Sequence, residues 1–230
     1  MKNTDHYSEW QRTNAQIFWG EVAPCDHVVQ IYEDDELFLD MLAGFTGGGI
    51  NAGDCVIIIA TNAHLKALEE RLKSLGVHTE MLIAEDSYIP LNAEETLAKF
   101  MINGWPDENL FNDLITGVLK RGRSHNRHIR AFGEMVALLW AQGHNGATVH
   151  LEHLWNKFCE KESFSLFCAY PKSGFTLDMH SSITHICAAH SKIITNSDKP
   201  MTELLYKNMA GIDGMATGLS YVSIEQKAAV

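Results

Sequence analysis

The stretch that decides the fold, residues 26–76, reads DHVVQIYEDDELFLDMLAGFTGGGINAGDCVIIIATNAHLKALEERLKSLG. A short β-branched run at residues 28–31 and a continuously apolar run at residues 55–60 each have the length of a strand covered on both faces. Apolar residues recur at helical spacing between the two runs, and a second helical pattern follows. This order predicts a βαβα unit, which implies a parallel sheet with right-handed crossovers.

Four segments of the chain resemble a known family. The order of strand, helix, glycine-rich turn, strand and helix in residues 26–76 resembles the RecA/KaiC-type ATPase core and, more closely, the MEDS family of sensory domains. The segment IRAFGEM at residues 129–135 resembles that family's R-x-x-G-E-M. The segments LEHLWN at residues 151–156 and FCAY at residues 167–170 resemble its E-x-x-x-N and C-x-Y.

This resemblance implies both a fold and a role. It implies an α/β, RecA/KaiC-like three-layer sandwich with a mainly parallel five-stranded core sheet. It also implies a sensory domain that responds to small molecules, as in a family named from methanogen and methylotroph proteins. The resemblance covers residues 26–190.

The 230 residues, of which 46% are hydrophobic, are enough for one large α/β domain. We expect an N-terminal helical extension at residues 1–25, the sensory domain at residues 26–190, and a C-terminal tail or oligomerisation arm at residues 191–230. Trp10 and Phe18 in the extension, together with the tail, predict self-association into at least a dimer.

Further elements follow from local patterns. Residues 78–84 and 128–132, and Ser165 to Tyr170, are predicted as strands. Asn92, with Glu95 three residues later, predicts a helix N-terminus. Pro106 is expected to open another helix, and residues 178–190 a last one.

Charge and composition exclude several classes of protein. A net charge of −11 with a pI near 5.5 argues against nucleic-acid binding, which depends on clustered Lys and Arg. Apolar runs are too short for a membrane span, and the N-terminus lacks the pattern of a secretory signal. The five cysteines show no CxxC spacing. We therefore expect a cytoplasmic protein with reduced thiols and no contact with a membrane.

The phosphate-binding loop of an ATPase is missing from its expected place. After the first strand the chain reads YEDDELF, residues 32–38, with four carboxylates, no glycine and no lysine. Such a loop repels a triphosphate. The triplet Gly47–Gly49 lies after the helix and is predicted as a turn. We therefore expect a protein that is not an enzyme and has no cofactor, and neither G-x-S-x-G nor H-E-x-x-H is present.

Ligands of open parallel sheets bind at the carboxyl ends of the strands. The residues predicted to lie there mix aromatic, thioether and ionisable groups, as small-molecule pockets do. Glu134 is the leading candidate, with His27 or Arg130 as its partner if it is buried. The predicted ligand-binding residues are His27, Tyr32, Glu33, Thr61, His64, Glu134, Met135 and Tyr170.

Histidine and cysteine patterns favour no metal site. His150 and His153 share a helix on which His153 lies mainly on the solvent side, and His180 and His190 are about 15 Å apart on one helix. Cys187 and His190 give two ligands where zinc needs three or four. The expected partner is a small-molecule ligand or a signalling protein such as a histidine kinase or regulator. A degenerate RecA-like hydrolase and a purely protein-interaction module remain as alternatives.

Overall fold

The computed structural model describes residue 19 and residues 22–175, 180–195 and 220–223. The strands are β1 His27–Tyr32, β2 Cys55–Ala60, β3 Tyr88–Asn92, β4 Met101–Ile102, β5 Trp105–Pro106, β6 Ile129–Gly133, β7 Ser165–Pro171, β8 Lys192–Thr195 and β9 Ser220–Ser223. The helices are α1 Asp35–Ala52, α2 Asn62–Ser74, α3 Thr79–Ala84, α4 Ala93–Ala98, α5 Glu108–Gly122, α6 Met135–Ala141, α7 Asn145–Glu162 and α8 His180–Ala188.

Seven of the strands form one sheet in the order β3-β2-β6-β7-β1-β8-β9. All neighbouring strands of this sheet are parallel. β4 and β5 pair separately as a small antiparallel ribbon. The predicted parallel sheet is confirmed, with two more strands than the expected five. The additional strands, β8 and β9, lie beyond residue 190 in the segment predicted as a tail.

Helices cover both faces of the sheet, which makes a three-layer α/β sandwich. On one face α1 and α2 pack against residues such as Val28, Val56 and Ile58. On the other face α4 to α8 pack against the alternate residues, such as Val29 and Ile57. Since β1, β2 and β6 are buried along their whole length, both of their faces are covered, as the runs at residues 28–31 and 55–60 predicted for β1 and β2.

The third strand lies later in the chain than predicted. Residues 79–84 form the short helix α3, in which Met81 and Ile83 are exposed. The strand is β3, which contains Pro90 and occupies the edge of the sheet. Proline is tolerated there because an edge strand does not need every N–H group for pairing. The short apolar run at residues 81–84 was therefore read wrongly, since periodicity does not separate a strand from a helix over four residues.

The predicted turn at Gly47–Gly49 is also wrong, because all three glycines lie inside α1. The helix ends at Gly53, which has a φ of 79° in the left-handed region. A Cβ on Gly49 would lie 2.6 Å from Cγ2 of Val56 and 2.9 Å from Cδ of Arg130. The missing side chain therefore lets α1 approach β2 and β6 closely.

Two matched substitutions test this packing. Gly49→Ala is expected to lower the free energy of unfolding by about 1–3 kcal/mol, because the buried Val56 and Arg130 cannot move aside. A Cβ on Gly47 meets nothing within 4 Å. Gly47→Ala is therefore expected to raise the free energy of unfolding by up to about 1 kcal/mol through helix propensity. Urea unfolding measures both, and equal effects at the two positions would contradict the close approach.

Other predicted features fall partly outside the described residues. The predicted N-terminal helix with Trp10 and Phe18 lies there, as does most of the tail. Asn92 caps α4 as predicted, since its Oδ1 accepts a 2.8 Å hydrogen bond from the backbone N–H of Glu95. The helix predicted from Pro106 begins at Glu108, with Asp107 as its cap.

In the part of the chain that the structure describes, no helix is long and apolar enough to cross a membrane.

Candidate functional site

Glu134 joins the carboxyl ends of two neighbouring strands. It follows β6, and its backbone N–H donates to the carbonyl of Ile59 in β2 at 2.9 Å. Its carboxylate accepts a 2.8 Å hydrogen bond from the backbone N–H of Thr61. The other oxygen lies 2.8 Å from Nδ1 of His64. Glu134 therefore links β6, β2 and the first turn of α2.

His64 is placed by the start of α2. Thr61 caps this helix, and its hydroxyl accepts a hydrogen bond of 3.3 Å from the backbone N–H of His64. The hydrogen bond to Glu134 raises the pKa of His64 above its ordinary value, although burial opposes the shift. His64 therefore keeps its proton to a higher pH than a free imidazole does.

Aromatic rings cover the ion pair on one side. Tyr32, at the end of β1, stacks on Phe38 of α1 with ring centroids 4.7 Å apart. Phe38 in turn meets the ring of His64 edge-on at 5.1 Å. Burial, followed by the carboxylates of Glu134 and Asp35, raises the pKa of Tyr32 well above its ordinary value, so its phenol stays protonated. We call Tyr32, Phe38, Thr61, His64 and Glu134 the edge cluster.

The edge cluster is buried but not closed. The side chain of His64 is 19% exposed and that of Glu134 is 9% exposed. Among the described residues the imidazole of His64 bonds to Glu134 through Nδ1, so its Nε2 is the ring nitrogen that a ligand could use. The cluster can therefore offer a partly exposed imidazole to a small polar ligand.

The predicted partners of Glu134 are wrong, and the reason is geometric. His27 lies at the amino end of β1 and on the opposite face of the sheet from the edge cluster. Arg130 pairs with Asp54, with Nε 2.5 Å from Oδ2. Gly133, the residue before Glu134, has a φ outside the left-handed region, and a Cβ there would make ordinary contact with Trp155.

The remaining predicted ligand residues do not join the edge cluster. Glu33 is exposed and pairs with Lys172. Met135 is fully buried in the core on the α4–α8 face. His27 and Tyr170 lie on that same face, within a second group of polar side chains.

This second group is enclosed within the core. The hydroxyl of Tyr170 donates to Oε1 of Glu152. His27, Glu152, Cys168 and His190 place their ligand atoms within 4.8 Å of one another, and all four are buried. Burial raises the pKa of Glu152 to about 8, with the Tyr170 hydrogen bond opposing the shift. We call these five residues the buried cluster.

Sequence reasoning singled out only part of the buried cluster. His27 and Tyr170 were predicted as ligand residues, and His190 was considered for metal binding together with Cys187 rather than Cys168. Glu152 and Cys168 lie in the segments LEHLWN and FCAY that carry the family resemblance. These two segments were the sequence feature that could have pointed to the buried cluster. Spacing could not, because His27, Glu152, Cys168 and His190 come from separate elements of the chain.

Acidic side chains surround the start of α1, where an ATPase of this type would bind phosphate. Asp34 caps α1 by accepting a 2.8 Å hydrogen bond from the backbone N–H of Glu36. Asp35 and Glu36 fill the first turn of the helix. A helix N-terminus binds phosphate through free N–H groups and its positive dipole end. Here the Asp34 carboxylate already accepts from one of these N–H groups, and the acidic side chains of the first turn repel an anion.

The described residues form a three-layer α/β sandwich with a polar cluster at the carboxyl edge of its sheet and an acidic loop after β1. The family model described as the methanogen/methylotroph, DcmR sensory domain, MEDS, matches residues 26–191. The chain belongs to this family, and the predicted membership is confirmed. A search of curated proteins finds no match to the chain.

Proposed function

We propose that this sensory domain binds a small polar molecule at the edge cluster and does not catalyse a reaction. The observation that supports the proposal is the Glu134–His64 pair, which is mostly buried yet keeps the imidazole partly exposed. A ligand from solvent can therefore reach one partner of the pair. This pair lies where ligands of open parallel sheets bind.

The same pair provides a route for a signal. A ligand that accepts a hydrogen bond from Nε2 of His64 changes the charge balance with Glu134. Glu134 holds the N–H of Thr61, which caps α2. Ligand binding would therefore change the contacts at the start of α2. A signalling partner such as a histidine kinase or regulator would respond to that change in the helix.

A panel of short-chain carboxylic acids, alcohols and amines tests the proposal by thermal unfolding. At a concentration of about 100 times its Kd, a true ligand stabilises the protein by roughly 2.7 kcal/mol. For a chain of this size, that raises Tm by about 5–10 °C. His64→Ala should abolish the shift, whereas His78→Ala, an exposed histidine on α3's cap, should keep it.

Two results would count against ligand binding at the edge cluster. One is a panel compound that stabilises His64→Ala as much as the parent chain. The other is a panel without effect together with native mass spectra of freshly purified protein that show no retained small molecule. That second result would favour the alternative of a protein-interaction module. Self-association into at least a dimer stays a prediction, which the mass by light scattering tests.

The rival hydrolase function makes a different prediction. Because Asp34, Asp35 and Glu36 fill the helix terminus where phosphate would bind, Mg-ATP should not bind. Isothermal titration calorimetry measures this directly. A dissociation constant below about 10 μM, equivalent to roughly 7 kcal/mol of binding, would contradict the proposal and favour an enzyme.

A further inference from the structure

We propose that His27, Glu152, Cys168 and His190 form a zinc site inside the core, between the sheet and α7. Each residue offers one ligand atom, and all four atoms lie within 4.8 Å of one another. The residues come from β1, α7, β7 and the turn before β8. The site is separate from the edge cluster, which lies on the opposite face of the sheet, so its test does not depend on the proposed function.

The distances suit tetrahedral zinc. Nε2 of His27 lies 3.4 Å from Sγ of Cys168 and 3.5 Å from Oε2 of Glu152. Nε2 of His190 also lies 3.5 Å from Oε2 of Glu152. Zinc bonds of about 2.0–2.3 Å at tetrahedral angles separate neighbouring ligand atoms by roughly 3.3–3.6 Å. Three of the ligand pairs therefore already have the spacing of a zinc site.

Backbone carbonyl oxygens fix both imidazoles in the tautomer that a metal ion needs. Nδ1 of His27 lies 3.0 Å from the carbonyl oxygen of Ala189, and Nδ1 of His190 lies 2.6 Å from that of Ile186. A carbonyl only accepts, so each Nδ1 carries the proton and each Nε2 presents a lone pair. Tyr170 holds the other oxygen of Glu152. Metal-binding histidines and carboxylates are usually oriented by such partners.

Two atoms of the cluster have no hydrogen bond in the described structure. They are Oε2 of Glu152 and Nε2 of His190, both within fully buried residues. A buried polar atom without a partner costs about 1–3 kcal/mol, and here the two unpartnered atoms face one another. A cation between them satisfies both at once.

The ligand set selects the class of cation. A thiolate and a carboxylate together carry two negative charges, which balance a divalent ion. Two imidazoles and a thiolate favour zinc over magnesium or calcium, which prefer oxygen ligands. Four protein ligands leave no open position, so the ion has a structural role. It would tie His27 to His190, near the two ends of the region matched by the family model.

This proposal departs from the sequence-based expectation of no metal. That expectation considered pairs within one helix, such as Cys187 with His190. The structure instead brings His190 together with residues up to 163 positions earlier in the chain, as the pair with His27 shows. Their ring centroids are 3.9 Å apart.

The test measures the zinc content of the 230-residue chain after equilibration with zinc sulfate and removal of unbound metal. We expect one zinc ion per chain. Cys168→Ala should reduce the content to background, whereas Cys55→Ala should keep it. Cys55 is the matched control because it is also a fully buried strand cysteine on the same face of the sheet. Zinc retained by Cys168→Ala, or a parent chain without zinc, would overturn the proposal.

A second measurement does not depend on a variant that folds. Cobalt substituted into the parent chain should show the near-ultraviolet charge-transfer absorption of a thiolate ligand and the strong visible bands of tetrahedral coordination. A cobalt complex without the thiolate band would exclude Cys168 and overturn the site. Tyr170→Phe removes only the hydroxyl that donates to Glu152. It should weaken zinc binding by roughly 10- to 100-fold in competition with a chromogenic chelator.

Discussion

Replacing Arg130 by methionine is expected to lower the free energy of unfolding by about 3–5 kcal/mol, because it leaves the Asp54 carboxylate without its charge partner. The two side chains are 8% and 12% exposed, and Nε lies 2.5 Å from Oδ2. The guanidinium also donates to the carbonyl of Trp19 at 2.6 Å. Methionine keeps most of the aliphatic stem, so the loss reports on the charged group and not on packing volume.

Two further variants separate a buried ion pair from a general loss of charge. Arg71 pairs with Glu36 and Asp40, whose side chains are 80% and 71% exposed. Arg71→Met is therefore expected to change stability by less than about 1 kcal/mol. In the double variant Arg130→Met with Asp54→Asn, neither member of the pair is charged, so part of the lost free energy of unfolding should be recovered. Urea unfolding measures all of them, and an Arg130→Met chain as stable as the Arg71→Met chain would contradict this account.

The arginine of the segment IRAFGEM therefore has a structural role that the resemblance alone did not indicate. Arg130 lies on the α1 face of β6, where Gly49 leaves room for its side chain. Glu134 follows four residues later at the carboxyl end of the same strand. One short segment thus contributes an ion pair near the start of the strand and a candidate site at its end.

The sequence predicted the strands that are continuous apolar runs and missed one that is interrupted by proline and one that is only four residues long. β2 and β7 are continuous apolar runs of strand length, and both were placed correctly. β3 contains a proline at its centre, which reads as a loop unless the strand is known to lie at an edge. β8 is only four residues long and lies at the start of the segment predicted as a tail, residues 191–230.

The sequence also does not show which of the predicted site residues share a face of the sheet. In a strand that is half exposed, polar and apolar residues alternate, and the pattern shows which side chains share a face. β1 and β7 are buried on both faces, so the sequence gives no such pattern. Tyr32 lies on the α1 face whereas Tyr170 lies on the α7 face. The shared strand edge was predicted, but the division of its residues between two layers was not.

The second large effect concerns Glu134→Gln, whose cost should depend on pH. A glutamine can still accept from the N–H of Thr61 and can donate to Nδ1 of a neutral His64, so it loses only the charge. A hydrogen bond between charged groups contributes about 1.5–3 kcal/mol. We therefore expect a loss of that size where His64 is protonated, and a smaller loss where it is neutral.

The direction follows from the pKa of His64, which the hydrogen bond to Glu134 raises above its ordinary value. A raised pKa in the folded state gives stability that is fully present below the unfolded pKa of about 6.5. That stability is lost as the pH rises through the higher folded pKa. The penalty of Glu134→Gln should therefore be larger at about pH 6 than at about pH 9.

A double-mutant cycle with His64→Ala assigns the pH dependence to this pair. In the His64→Ala background, Glu134→Gln should cost the same at both pH values, because no imidazole remains to titrate. Urea unfolding of the four chains at the two pH values gives the coupling free energy directly. A penalty that does not change with pH in the parent chain would show that Glu134 serves chiefly to hold the N–H of Thr61. In that case the imidazolium that the proposed ligand is meant to contact would not form, and the small-molecule site at the edge cluster would lose its main support.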